Sequence, residues 1–119
     1  MKRLITLAAA FVLFATSVHA ANQASLEAAI ETATANGKTA LNLANQAFKA
    51  NDAEKGCRHL DEGAGYISEA LDLSGKAYAL IDAKGDSVEK TAELKTHMTK
   101  TRELSKLRAQ IDVQFNTQC

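Results

Sequence analysis

Between residues 57 and 81, small and apolar residues recur at intervals that alternate between three and four: Cys57, Leu60, Ala64, Ile67, Leu71, Ser74, Tyr78 and Ile81. An α-helix turns once every 3.6 residues, so this spacing lays all eight along one narrow seam. In a strand the same residues would scatter over both faces. The spacing predicts a long helix over residues 53–83 that packs along its length against other helices. The rest of the chain has to supply them.

Nothing in the sequence prevents that. There is no proline anywhere, and alanine, the best helix former, is abundant. Over residues 22–50, Leu26, Ile30, Leu41 and Phe48 share one sector, with Ala29, Ala33, Ala40 and Ala47 beside it. Glu27, Glu31, Lys38, Asn45 and Lys49 take the opposite face, which makes this an amphipathic helix with a large-residue and a small-residue stripe. Asn36-Gly37 is a turn signal, but the apolar pattern crosses it without a phase change, so a continuous helix is expected. The segment Ala50-Asn51-Asp52 ends it, and Asp52 can cap the next helix. Gly56, Gly63, Gly65 and Gly75 each cost that second helix about 1 kcal/mol against alanine. They either admit a close neighbour or mark kinks.

Lys84-Gly85 reads as a helix stop with Gly85 in a left-handed conformation. Asp86 and Glu89 then form a capping box for a third helix over residues 87–115. Its apolar face is Leu94, Met98, Leu104, Leu107, Ile111 and Phe115, with His97 projecting the same way. No alternating strand pattern occurs. The expected fold is all-α, an antiparallel up-down-up bundle of three helices, each roughly 40–45 Å long.

Residues 1–20 read differently. Lys2 and Arg3 precede an apolar run over residues 4–15, and Val18-His19-Ala20 places small residues at a cleavage position. This is the pattern of a secretory signal peptide, and the run is too short to span a membrane, which takes about 20 residues. The expected mature chain is residues 21–119, a single domain in the periplasm or outside the cell, with no stable membrane span. Loss of Lys2 and Arg3 leaves 12 bases against 14 acids, which gives no electrostatic case for nucleic acid.

Export makes the two cysteines informative. A hairpin of the second and third helices returns Cys119, the last residue, to the neighbourhood of Cys57, and an oxidising compartment favours a disulfide between them. Competing chemistries lack their motifs. There is no Cys-x-x-Cys-His for haem and no Cys-x-x-Cys for thiol exchange. The hairpin separates His59 from His97 along the bundle, so the two cannot share an ion, and no metal or other cofactor is expected. His59 reads as a surface residue beside Asp61 and Glu62. His97 reads as a boundary or core residue that can pair with Glu93 one turn earlier. Met98 is rotated about 100° from His97, so the two cannot be axial ligands of one haem. No nucleophile motif or phosphate loop occurs, and no enzymatic activity is expected. The segment AFKANDAEKGCRHLDEGAGYISEAL, residues 47–71, looks like the inter-helix portion of a tetratricopeptide-type repeat. No second copy follows at a fixed period, so no repeat array is expected.

The second helix carries a further stripe, Tyr66, Ala70, Leu73, Ala77 and Leu80. The facing half of the third helix is poor in apolar residues, so the stripe exceeds what that helix can cover. Contiguous exposed apolar surface marks interfaces. Tyr66, Leu73 and Leu80 are therefore the candidate contact residues of a protein–protein interaction module, with a protein partner or a second copy of the chain as its target. The rival expectation is a small-ligand or metal carrier that uses a gap near His97.

Overall fold

The computed structural model describes residues 22–119, so the signal-peptide assignment lies outside the described residues. Three helices account for nearly all of them: α1 (Asn22–Lys49), α2 (Ala53–Asp82) and α3 (Val88–Gln118). No strand occurs among the described residues. α2 is the central element and packs against both α1 and α3.

On α1 the buried positions are 26, 30, 33, 37, 40, 44 and 47, with Leu41 beside them. Asn36-Gly37 does not interrupt the helix, because Gly37 is itself one of these seam positions. On α2 the buried line is Gly56, Leu60, Gly63, Ile67, Ala70, Ser74, Ala77 and Ile81. It runs between the two stripes expected from the sequence and takes members from each. Tyr78, expected on the first seam, is exposed, and Cys57, Ala64 and Leu71 are only half-buried. The cause is the placement of α2 between two neighbours: the line covered from both sides is buried most.

Small residues set the spacing of α1 and α2. A Cβ added at Gly63 would lie 3.4 Å from the Cβ of Ala40 and 3.5 Å from both the Gly37 carbonyl oxygen and Ile111 Cδ1, so all three helices converge there. One added at Gly37 would lie 2.8 Å from Cγ1 of Ile67, a fully buried residue. Gly65 and Gly75 face open space. The question left by the sequence thus has two answers: Gly37, Gly56 and Gly63 admit neighbours, and the others do not.

The first turn is built by Asn51, which adopts φ 60°. Asp52 N–H donates to the Ala47 carbonyl at 2.9 Å and Asn51 N–H to that of Phe48 at 3.0 Å, the paired bonds of a Schellman ending. Asp52 then caps α2 by accepting from the Lys55 N–H at 3.1 Å. The second turn departs from expectation. No described glycine has positive φ, so Gly85 is not left-handed. The N-cap of α3 is Ser87, which accepts from the Lys90 N–H at 3.0 Å, rather than Asp86. The Lys90 ammonium donates to the carbonyls of Asp82 and Lys84, each at 2.9 Å. A cation on the last carbonyls of α2 ends that helix without a left-handed residue.

Substitutions can separate the two kinds of glycine. Gly37→Leu forces side-chain atoms into Ile67 and should destabilise the protein by about 1–3 kcal/mol. Gly65→Ala meets nothing and should stabilise it by up to about 1 kcal/mol. Urea unfolding of both variants checks the pair, and equal effects would contradict the close approach at Gly37.

Candidate functional site

Cys57 and Cys119 are joined by a disulfide, with Cα atoms 5.9 Å apart and 62 residues of separation. Cys57 lies in the second turn of α2, and Cys119 ends α3 with its N–H donating to the Phe115 carbonyl at 2.8 Å. Cys57 is therefore a structural residue, and no free cysteine remains among the described residues.

The two histidines have separate partners. His59 Nδ1 lies 2.8 Å from Glu62 Oε1, one turn along α2. His97 is buried, with Nε2 2.8 Å from the Ser74 carbonyl oxygen. A carbonyl can only accept, so Nε2 carries the proton and donates it. The pairing of His97 with Glu93 expected from the sequence is not formed. Glu93 instead accepts from Gln23 Nε2 at 2.8 Å and from the Lys84 ammonium at 3.0 Å. These bonds, that from Gln23 first, hold its carboxyl below the usual glutamate value. The acceptor for His97 was missed because a backbone carbonyl has no signature in the side-chain pattern.

The sequence-derived contact residues divide. Tyr66 is exposed, whereas Leu73 and Leu80 are half-buried and pack against the core cluster. Ala70 and Ala77, of the same stripe, are fully buried.

Crevices run between the helices. Beside α1, α3 is clipped by polar side chains at both ends, Gln23 to Glu93 and Gln114 Nε2 to Asn45 Oδ1 at 2.6 Å. Between these clips lies a groove of about 590 Å³ lined by Ile30, Thr34 and Lys38 of α1 and Lys100, Leu104 and Leu107 of α3. A smaller depression of about 260 Å³ adjoins it, sharing Ile30, Glu31 and Lys100 and reaching His97. The groove exists because α3 buries only His97, Leu104 and Ile111. Its other residues at this seam, including Glu103 and Gln110, are long and polar and do not close it.

Between α2 and α3 is a second crevice of about 430 Å³, lined by Leu71, Tyr78, His97, Met98 and Arg102 among others. Tyr78 and Met98 are among the large apolar side chains left exposed, and the Tyr78 and His97 rings lie 6.2 Å apart between centroids. Further along, Arg108 ties α3 to α2 by donating to the Ala64 carbonyl at 3.3 Å and to the Ser68 hydroxyl.

Among the described residues, no group of three or more His, Cys, Asp or Glu is placed to hold a metal ion, and no helix is long and apolar enough to cross a membrane. No family model, curated protein or solved structure matches the chain.

Two outcomes follow for the residues that hold α3. Reducing the disulfide should lower stability by roughly 4 kcal/mol at most, the chain-entropy value for a loop of this length. Chemical denaturation with and without reductant measures it, and coincident curves would deny the bridge its stabilising role. For Glu93, a carboxyl lowered in the fold contributes stability above its ordinary value of 4.5, lost as pH falls through the lowered folded value. The melting temperatures of the wild-type protein and Glu93→Gln should therefore differ at neutral pH and converge in acid. A constant difference throughout would remove Glu93 as the cause.

Proposed function

We propose that this is a small exported protein of the periplasm, an up-down-up bundle once residues 1–20 are removed, that acts by contact with another protein rather than by catalysis. The up-down-up path is supported by the order of contacts: Phe48 lies at Gly56 and Gly37 at Ile67, and along α3 Cys119 lies at Cys57, Arg108 at Ala64 and His97 at Ser74. Export is supported by the disulfide, which persists in oxidising compartments.

The observation that carries the contact reading is the crevice between α2 and α3, where Tyr78 and Met98 stand exposed together over Leu71. Aromatic residues and methionine are enriched at interfaces, and Arg102 at the rim can pair with a partner's carboxylate. Tyr66 offers a further exposed aromatic ring, while Leu73 and Leu80 contribute to an interface only through the parts that the core leaves uncovered. In-cell crosslinking from a photoreactive residue at position 102 should capture one partner, or a second copy of the chain. Tyr78→Ser/Met98→Ser should abolish capture while leaving helicity unchanged, since both side chains are exposed. Undiminished capture by that variant would refute the assignment of this face. Leu73→Glu, by contrast, should cost stability because Leu73 packs on the core, and an unaltered melting temperature would place it back on a free surface.

A second reading, a small-ligand carrier, is favoured by the groove between α1 and α3. Its volume of about 590 Å³ falls within the range of small-molecule sites, about 300–1,000 Å³.

A further inference from the structure

We propose that the groove between α1 and α3 binds a single-chain amphiphile with a monoanionic head group, of the fatty-acid type. This rests on the carrier reading and not on the contact reading. The groove has two kinds of wall. Its floor is apolar: Ile30 and Leu104 are buried beneath it, and Leu107 is half-buried beside them. Its rim carries Lys38 from α1 and Lys100 and Lys106 from α3. None of the three forms an ion pair among the described residues, where the pairs are His59–Glu62, Lys76–Asp72, Lys84–Glu93, Lys90–Asp86 and Arg108–Asp112.

Glu31 and Glu103 also reach the rim. Three lysines against two glutamates leave one positive charge in surplus. That balance suits one anionic head and disfavours a polyanion, which would meet both carboxylates. The floor asks for a complementary apolar body that can lie lengthwise between two helices, and an alkyl chain has that shape. The lysine stems extend the apolar surface while their ammonium groups stay in water beside the head group. Polar clips at both ends, Gln23–Glu93 and Asn45–Gln114, fix the separation of the helices before any ligand arrives, which lowers the ordering cost of binding. The adjoining depression, entered past Glu27 and Glu31, is the acidic end of the same trough, so the head group belongs at the Lys38 and Lys106 end.

The test uses the purified oxidised protein and a dansyl-labelled undecanoate as a fluorescent probe. Probe binding should saturate at one site per chain below the micelle-forming concentration. Displacement by dodecanoate should be about tenfold tighter than by dodecanol or dodecylammonium, the discrimination expected of a charge-assisted contact. Lys38→Gln/Lys106→Gln should weaken dodecanoate about tenfold and leave dodecanol within about twofold, with helicity unchanged. Leu107→Trp should fill the groove and abolish probe binding. Tyr78→Ser/Met98→Ser, on the other crevice, should retain probe binding whether or not the contact reading holds. Equal affinity for dodecanoate and dodecanol, absence of saturable probe binding, or association only with vesicles of an anionic phospholipid would each overturn the proposal.

Discussion

The close approach of α1 and α2 is the constraint on which the other features depend. Where Gly37 faces Ile67, there is no room for a further methyl group without displacement, and an added Cβ at Gly63 would be in van der Waals contact with Ala40. Alanines at 33, 40, 44 and 47 on α1 and at 70 and 77 on α2 continue this small-residue seam, and all are buried. Two helices drawn this close gain dispersion contacts along their whole length, and the Ile67 side chain occupies the space that Gly37 leaves open. Glycine in a helix interior lowers helix propensity. On this seam the loss is offset by packing that a larger residue would prevent.

α3 is attached on different terms. It buries three residues over its length, and Lys100, Glu103, Lys106 and Gln110 line the groove beside Leu104 and Leu107. Its fixings are directional and few: His97 to the Ser74 carbonyl, Arg108 to Ala64 and Ser68, Gln23 and Lys84 to Glu93, Asn45 to Gln114, and the disulfide at its end. An apolar interface would have closed the seam with α1. Polar clips hold the helices at their ends and leave the middle open. The groove and the disulfide therefore have a common origin in the low apolar content of α3: the first is what weak coverage leaves, and the second helps secure a helix that coverage alone holds weakly.

Several expectations from the residues agree with the structure because they rest on short-range or topological rules. Long helices follow from periodicity and the absence of proline. The polar turn at residues 50–52 follows from Asn and Asp chemistry. A cysteine early in α2 and another after α3 are joined, as expected of two helices linked by a short turn. Other expectations rest on interactions that periodicity does not encode. Ser87 and Asp86 are both good caps, and Lys90 reaching over the turn decides how the chain enters α3. His97 prefers a backbone carbonyl on α2 to the carboxylate one turn away, since Glu93 is taken by Gln23 and Lys84.

By itself the sequence determined that the chain is helical, where its helices begin and end to within a few residues, and which two cysteines come together. These follow from local spacing and from the short connection between α2 and α3. Which side of α2 is buried was settled by the packing of its neighbours. Two apolar stripes on one helix are equally acceptable to the helix itself, and the choice belongs to the neighbours that cover them. With α1 on one flank and α3 on the other, the line between the stripes became the core. Leu73 and Leu80 were drawn half into it, Tyr78 was left outside, and the open surface moved to the crevices along α3.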